Sequence, residues 1–248
     1  MILFHISFLI IALFIGSFIN VLIHRLPRGE SIVWPPSHCT SCRHRLGLRD
    51  LVPVFSYLWL KGRCRYCQSK IPGRYFIVEV MTAALFFTVY WQWGMTARTL
   101  AGCLFTAILI AAAYTDLEKG IIPDRLTYPG IILGLALSPF TLGLAQAGAG
   151  GGILLIILTL AALLSDGGVG GGDIKLAMVT GCFTGVQGAV MILFLSSIMA
   201  GLWALILAMR GRANRKTAIK FGPFLAVAAF GIYNWQAPIA YCYFHLFS

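Results

Sequence analysis

Of the 248 residues, 59% are hydrophobic and only 11% are charged, whereas a soluble domain carries about 25% charged residues. This composition excludes an ordinary soluble protein and predicts an all-α protein that crosses a membrane several times. A net charge of +11 could indicate nucleic-acid binding, but the basic residues adjoin apolar segments, where they complement anionic lipid. We therefore expect contact with membrane lipid and none with nucleic acid.

About eight apolar segments follow one another along the chain, give or take one, and a helix needs about 20 residues to cross a bilayer. They lie at residues 2–23, 75–95, 99–115, 127–144, 150–165, 174–187, 189–209 and 224–246. The sixth is short, and Gly181, Gly185 and Gly188 leave its boundary with the seventh open. All Lys and Arg except Arg98 fall on one side of this arrangement. The positive-inside rule makes that side cytoplasmic, and an even number of spans then puts both termini outside.

The largest hydrophilic segment, residues 25–74, follows residues 1–24, which we expect to form the first transmembrane helix. It contains Cys39-Thr-Ser-Cys42 and, after 21 residues, Cys64-Arg-Tyr-Cys67. Two C-x-x-C pairs at this separation are typical of a four-thiolate zinc site, and cytoplasmic thiols stay reduced. Because four thiolates leave no open position for water, we expect a structural zinc. Four unligated cysteines remain the alternative. The other three cysteines, Cys103, Cys182 and Cys242, lie in apolar segments and are expected to pack.

Two aspartates stand at the ends of apolar segments that meet the same membrane side. Asp116 follows the third segment, near a helix C-terminus, and Asp173 precedes the sixth, near a helix N-terminus. One carboxylate can activate water while the other protonates the departing group, so the pair fits aspartyl proteolysis. The helix dipole predicts Asp173 as the base. From position alone, two interfacial aspartates or an ion pathway remain possible. Gly170 and Gly172 are expected to allow positive φ and close substrate approach, or to form a flexible loop.

Several motifs in order carry a resemblance to a known family. They are Gly16-Ser-Phe-Ile-Asn20 with Arg25-Leu-Pro27, the paired C-x-x-C motifs, Gly73-Arg-Tyr75 with Val78-Glu79, Asp116 with Ile122-Pro-Asp124, Gly170-Gly-Gly172-Asp173-Ile-Lys175, and Phe221-Gly-Pro-Phe224. Together they resemble the bacterial type IV prepilin peptidases, also called leader peptidase/N-methyltransferases, of the G-x-G-D aspartyl class. The sequence departs from the family in having Gly at position 171, where an aromatic residue is common.

The resemblance implies that Asp116 and Asp173 are catalytic, with Gly170, Gly172 and Lys175 supporting the catalytic loop. It implies cleavage of a basic leader after glycine, in prepilins or pseudopilins, on the cytoplasmic face of the bacterial inner membrane. It also implies N-methylation by S-adenosylmethionine in the cysteine-bearing segment, with Gly62 and Glu79 as candidate cofactor-binding residues. The peptidase would then occupy residues 75–248.

Other hypotheses stay open. The protein could be a peptidase with weak or absent methyltransferase activity, a zinc-bearing assembly factor, or a small ion-coupled transporter with Asp116 and Asp173 along an ion path. The depth of the two aspartates in the bilayer distinguishes the transporter hypothesis from the others. Transporter carboxylates belong near the bilayer midplane, whereas Asp116 and Asp173 lie at the inner ends of their segments. The sequence leaves open the client system (pilus, type II secretion or DNA uptake) and the oligomeric state.

Overall fold

The structure, a computed structural model, describes residues 2–165, 168–211 and 220–246. Over this part of the chain it is all-helical and without strands, as the composition predicts. The helices are α1 Ile2–Arg25, α2 Phe55–Trp59, α3 Arg74–Trp93, α4 Ala97–Lys119, α5 Asp124–Leu137, α6 Leu144–Leu164, α7 Gly171–Met209 and α8 Gly222–Leu246. Short 3-10 turns lie at Leu26–Arg28, Leu48–Asp50 and Ser138–Phe140.

Several helices have the length and composition of membrane spans. Among the described residues, five segments qualify on these grounds: Leu3–Arg28, Arg74–Trp93, Ala97–Lys119, Leu144–Leu164 and Gly171–Met209. The chain is therefore of the multi-pass, helical membrane type. The predicted sixth and seventh segments both fall in α7, whose 39 residues are interrupted at Gly185 (φ 72°, ψ −174°). That backbone conformation is accessible to glycine and strained for other residues, so the break occurs there.

The chain forms two compact units, residues 1–94 and residues 95–248. In the first unit, α1 packs along α3. A Cβ on Gly16 would lie 2.8 Å from Glu79 Cα, so the absence of a side chain there allows the two backbones to approach. The buried Asn20 amide donates a hydrogen bond to the Tyr75 carbonyl oxygen at 3.0 Å. The assignment of residues 1–24, 25–74 and 75–248 to separate functional segments stays a prediction.

In the second unit, α6 packs most closely against α7. A Cβ on Gly150 would lie 2.5 Å from the Gly181 carbonyl oxygen. Small residues of this kind bring membrane helices into van der Waals contact where no hydrophobic driving force operates between them. In the hydrophobic core, Phe105 of α4 stacks on Phe183 of α7 with ring centroids 4.6 Å apart. The glycines therefore set how closely these helices approach.

Two short helical segments of the second unit, α5 and residues 171–184 of α7, run parallel. At their first turns, Lys175 Nζ contacts Asp124 Oδ1 at 2.6 Å. Toward their other ends, a Cβ on Gly134 would lie 2.8 Å from Cys182 Cβ. The start of α7 and the turn between α4 and α5 consequently lie at the same end of the second unit.

Candidate active site and metal centre

Two aspartates stand at adjoining helix ends of the second unit. Asp116 belongs to the last turn of α4, which ends at Gly120 in the left-handed conformation, and Asp173 belongs to the first turn of α7. Asp116 is only 6% exposed. The two carboxyl groups are close enough to interact electrostatically. The folded chain thus brings together two acids that are 57 positions apart in the sequence, at the helix ends that the sequence indicates.

The start of α8 supplies a contact that the sequence did not assign to the site. The Gly222 N–H donates a hydrogen bond to Asp116 Oδ2 at 3.1 Å, and a Cβ on Gly222 would lie 2.8 Å from the same oxygen. Beside it, Lys220 Nζ donates to the Leu117 carbonyl oxygen at 2.5 Å. The Phe221–Phe224 motif could have indicated this contact, because a glycine followed by proline at the start of a helix can donate its N–H to a nearby acceptor.

The glycines before Asp173 provide space. Gly170 has φ −67° and ψ 138°, and Gly172 is not among the glycines with positive φ, so the expectation of positive φ at these two positions is wrong. A Cβ on Gly170 would lie 3.1 Å from Asp173 Oδ2, and one on Gly172 would lie 3.0 Å from Ile122 Cβ. A side chain at either position would therefore require these neighbouring atoms to shift by a few tenths of an ångström.

One carboxylate oxygen of Asp173 has no hydrogen-bond partner among the described residues. The Asp173 N–H donates to the Gly170 carbonyl oxygen at 3.0 Å, which anchors the turn. Asp173 Oδ1, in contrast, is buried and has no hydrogen-bond partner among the described residues. Buried polar atoms are nearly always hydrogen-bonded, so this oxygen is available to water or substrate. Asp166, at the start of the glycine-rich run, lies outside the described residues, as do Arg212, Arg215 and Lys216.

Lys175, the third predicted support residue, is engaged by α5. Its ammonium contacts Asp124 Oδ1 at 2.6 Å and lies 5.1 Å from the centroid of the Tyr128 ring. The ion pair is partly exposed and therefore contributes little to stability by itself. Its effect is to fix the first turn of α7, which carries Asp173, against the first turn of α5.

The four cysteines of the two C-x-x-C motifs converge in the first unit. The Sγ atoms of Cys39, Cys42, Cys64 and Cys67 all lie within 4.8 Å of one another, and those of Cys39 and Cys67 are 3.8 Å apart. Four thiolates at Zn–S distances of about 2.3 Å form a tetrahedron with edges of about 3.8 Å. The cluster therefore fits a tetrahedral metal ion. Of the remaining cysteines, Cys103 and Cys182 are buried, and the side chain of Cys242 lies outside the described part.

Both cysteine pairs lie in the same kind of turn. The Arg43 N–H donates to the Cys39 carbonyl oxygen at 2.9 Å, and the Gln68 N–H donates to that of Cys64 at 3.0 Å. Arg43 and Gln68 each have φ 59°, a left-handed conformation that closes the turn. The repeated geometry brings both cysteines of each pair to one side, as a shared ion requires.

Hydrogen bonding makes the thiols of the cluster unequal. Burial opposes ionisation of Cys39, but hydrogen bonds from the backbone of Cys42 and Ser41 and from the Ser69 hydroxyl outweigh it and lower its pKa to about 6. At Cys42, the backbone of His44 favours the thiolate, but burial and the neighbouring thiols prevail and raise the pKa to about 11. The surroundings therefore make Cys39 more acidic and Cys42 less acidic than a free thiol.

The two candidate cofactor-binding residues also lie in the first unit. Glu79 of α3 is 7% exposed, and its Oε2 accepts a hydrogen bond from the Val54 N–H at 2.7 Å. Gly62 has φ 68°, and a Cβ there would lie 2.9 Å from Tyr57 Oη. Glu79 therefore connects α3 to the cysteine-bearing segment, and Gly62 leaves room for Tyr57.

Apolar spanning helices, two aspartates at adjoining helix ends and a four-thiol cluster define a helical membrane protein with a candidate aspartyl site and a candidate metal centre. Two family models match the chain: the Bacterial Peptidase A24 N-terminal domain over residues 10–93 and the Type IV leader peptidase family over residues 103–205. The chain belongs to the type IV leader peptidase family, as the motifs predict.

Curated relatives support this assignment over nearly the whole chain. A protein of Aeromonas salmonicida (strain A449) is 34% identical, covering 94% of this chain and 91% of its own. One of Neisseria gonorrhoeae is 33% identical, covering 92% and 91%, and one of Bacillus subtilis (strain 168) is 32% identical, covering 89% and 90%. All three carry the name prepilin leader peptidase/N-methyltransferase. No solved structure matches the chain significantly.

Proposed function

We propose that the protein removes the leader peptide of type IV prepilins or pseudopilins and N-methylates the new N-terminus, as the names of its relatives describe for them. The observation that carries the proposal is the Asp116–Asp173 pair at adjoining helix ends, with Gly222 donating to Asp116. Two carboxylates in one site are the groups that aspartyl proteolysis requires.

In this reaction, one carboxylate removes a proton from a water molecule, and the resulting hydroxide attacks the carbonyl carbon of the leader's last glycine. The other carboxyl group donates its proton to the amide nitrogen as the C–N bond breaks. Transfer of one proton between the two carboxyl groups then restores the starting state. The missing side chain at Gly170 leaves room beside Asp173 Oδ2, which an extended substrate backbone needs. Lys175 supports the loop through Asp124.

For topology, we propose eight spans, with both termini outside and the aspartates at the cytoplasmic face of the bacterial inner membrane. The break at Gly185 divides α7 into two segments, which with α1, α3, α4, α5, α6 and α8 make eight. A Cβ on Gly185 would lie 3.5 Å from Leu142 Cδ1, which supports placing this break at the end of the unit where α5 ends. The clustering of basic residues on the aspartate side supports the orientation.

We further propose that Cys39, Cys42, Cys64 and Cys67 bind a structural zinc ion, whose coordination supplies folding free energy to a segment with few core residues. The cluster geometry supports four-thiolate binding. S-adenosylmethionine would serve as the methyl donor, with Gly62 and Glu79 at its site. The transporter hypothesis is less favoured, because the aspartates lie at helix ends.

Cleavage of a synthetic prepilin in detergent tests the peptidase. Asp116→Asn and Asp173→Asn should each abolish cleavage while leaving transfer of a labelled methyl group to an already processed pilin intact. Glu118→Gln is the matched control, because it removes an exposed carboxylate from the same helix end and should cleave normally. Undiminished cleavage by either aspartate variant contradicts the mechanism.

A further inference from the structure

The short helix α2, in the cysteine-bearing segment, carries large apolar side chains on its surface. Phe55, Leu58 and Trp59 are all exposed, Trp59 to 84%. Residues three and four positions apart share one face of a helix, so these three side chains form a single apolar face. The other two side chains of α2, Ser56 and Tyr57, line a cavity of the first unit. The apolar face of α2 is therefore turned away from the interior of that unit.

Two contacts hold α2 beside the beginning of the spanning helix α3. The Val54 N–H, directly before α2, donates to Glu79 Oε2 at 2.7 Å, and Tyr57 stacks on Phe76 with ring centroids 5.5 Å apart. Helix α3 begins at Arg74, so with a rise of 1.5 Å per residue the two contacted residues lie about 3 Å and 8 Å along it. A span of 20 residues is about as long as the hydrocarbon core is thick. The level of α2 is therefore that of the boundary between acyl chains and headgroups.

A second exposed apolar site is attached to the neighbouring spanning helix, α1. Val33 and Trp34 are 80% and 73% exposed. Their loop is held by Arg25, in the last turn of α1, whose guanidinium donates to the carbonyl oxygens of Ser31 and Pro35 at 2.9 Å and 2.6 Å. Because α1 packs along α3, the end of α1 and the beginning of α3 lie side by side. The loop and α2 thus occupy the same end of the first unit.

The charge around these apolar side chains indicates their partner. Residues 25–74 contain ten Lys and Arg but only two acidic residues, Glu30 and Asp50. Two of the cations, Lys61 and Arg63, are exposed in the turn that follows α2. Exposed apolar patches with polar rims mark protein or membrane contacts. Aromatic side chains at headgroup level, with cations beside them, are typical of surfaces that lie on an anionic bilayer.

We infer that the apolar face of α2 and the Val33–Trp34 loop form a membrane-docking surface, which enters the adjoining leaflet while Lys61 and Arg63 contact anionic lipid headgroups. The cysteine-bearing segment then has two interfacial anchors in addition to the two spanning helices that flank it. These anchors hold the four-cysteine cluster close to the membrane. Neither of them requires the proposed enzymatic activity, so the surface can be tested without a substrate.

Photo-crosslinking of the full-length protein in nanodiscs tests the docking surface. The photoreactive p-benzoylphenylalanine replaces Trp59 in one variant and Trp34 in another, and mass spectrometry identifies what each crosslinks. Ile77, an exposed residue of the spanning helix α3, is the lipid-facing reference position. Both tryptophan positions should crosslink phospholipid, with yields within about threefold of the reference, as expected for side chains in the interface. Crosslinks mainly to residues 95–248 or to a second copy of the chain, or no crosslinks at either position, would overturn the inference.

The same crosslinker at Trp59 tests the headgroup contact, in nanodiscs of equal amounts of phosphatidylglycerol and phosphatidylcholine. Crosslinks to the anionic lipid should exceed those to the zwitterionic lipid about fivefold or more, since each cation near the surface favours anionic lipid by about this factor. Lys61→Gln with Arg63→Gln should abolish the preference. Arg43→Gln with Arg45→Gln removes the same charge beside the other C-x-x-C motif and should retain it. Equal loss in both double variants would overturn the headgroup contact, and elution of every variant at the wild-type volume in gel filtration establishes folding.

Discussion

Substituting Gly222 by alanine should damage cleavage selectively. The added Cβ would lie 2.8 Å from Asp116 Oδ2 and 3.1 Å from Ile122 Cδ1, so the start of α8 and the end of α4 must separate by roughly 0.5 Å to restore ordinary contact. This movement lengthens the 3.1 Å hydrogen bond from Gly222 to Asp116. Hydrogen bonds to charged groups contribute about 1.5–3 kcal/mol, which corresponds to a loss of kcat of about 10- to 150-fold.

The assay compares Gly222→Ala with Gly231→Ala under single-turnover conditions on a synthetic prepilin. Gly231 belongs to the same helix, and a Cβ there would meet nothing within 4 Å, so this control should cleave at the wild-type rate. Methyl transfer to processed pilin should stay normal in both variants. If Gly222→Ala cleaves as fast as Gly231→Ala, the hydrogen bond to Asp116 has no part in catalysis.

Two further predictions concern packing and the metal centre. Gly181→Ala should lower the midpoint temperature of thermal inactivation in detergent, because its Cβ would lie 2.5 Å from the Gly150 carbonyl carbon and destabilise the α6–α7 contact by about 1–3 kcal/mol. Gly148→Ala, whose Cβ would face open space, should leave the midpoint unchanged. Equal midpoints for the two variants would refute the packing argument. Cys42, with a pKa of about 11, must lose its proton to bind zinc. The apparent zinc Kd should therefore fall about tenfold or more for each unit by which the pH rises from 6 to 8. Competition against a chromophoric chelator measures this, and a pH-independent Kd would contradict it.

Much of the fold follows from hydropathy, but helix ends and breaks do not. The predicted segment at residues 99–115 is the apolar part of α4, which continues through polar residues to Lys119. A hydropathy profile does not detect that last turn, because polar residues at a helix end have the same hydropathy as loop residues. It also cannot distinguish Gly181, where helices touch, from Gly185, where the helix breaks. Only the packing partners separate these two uses of glycine.

Site residues could be predicted from the sequence where they belong to a motif of neighbouring residues. The four cysteines are identified by spacing alone, and their convergence agrees with that expectation. Gly222 was not assigned, because 106 residues separate it from Asp116 and no periodicity relates the two. Likewise, helix dipoles alone favour Asp173 as the base, whereas the Gly222 N–H also stabilises negative charge on Asp116. That assignment of roles stays a prediction.

The shortness of α5 and of residues 171–184 of α7 has a consequence for the surrounding lipid. Each has 14 residues and is therefore about 21 Å long, roughly 9 Å less than a hydrocarbon core of about 30 Å. Such a hydrophobic mismatch is met by local thinning of the bilayer. In the proposed eight-span arrangement, the thinned region adjoins Asp173, where a substrate's apolar helix would begin. In that arrangement, we expect acyl-chain length to affect how readily a scissile bond reaches the aspartates.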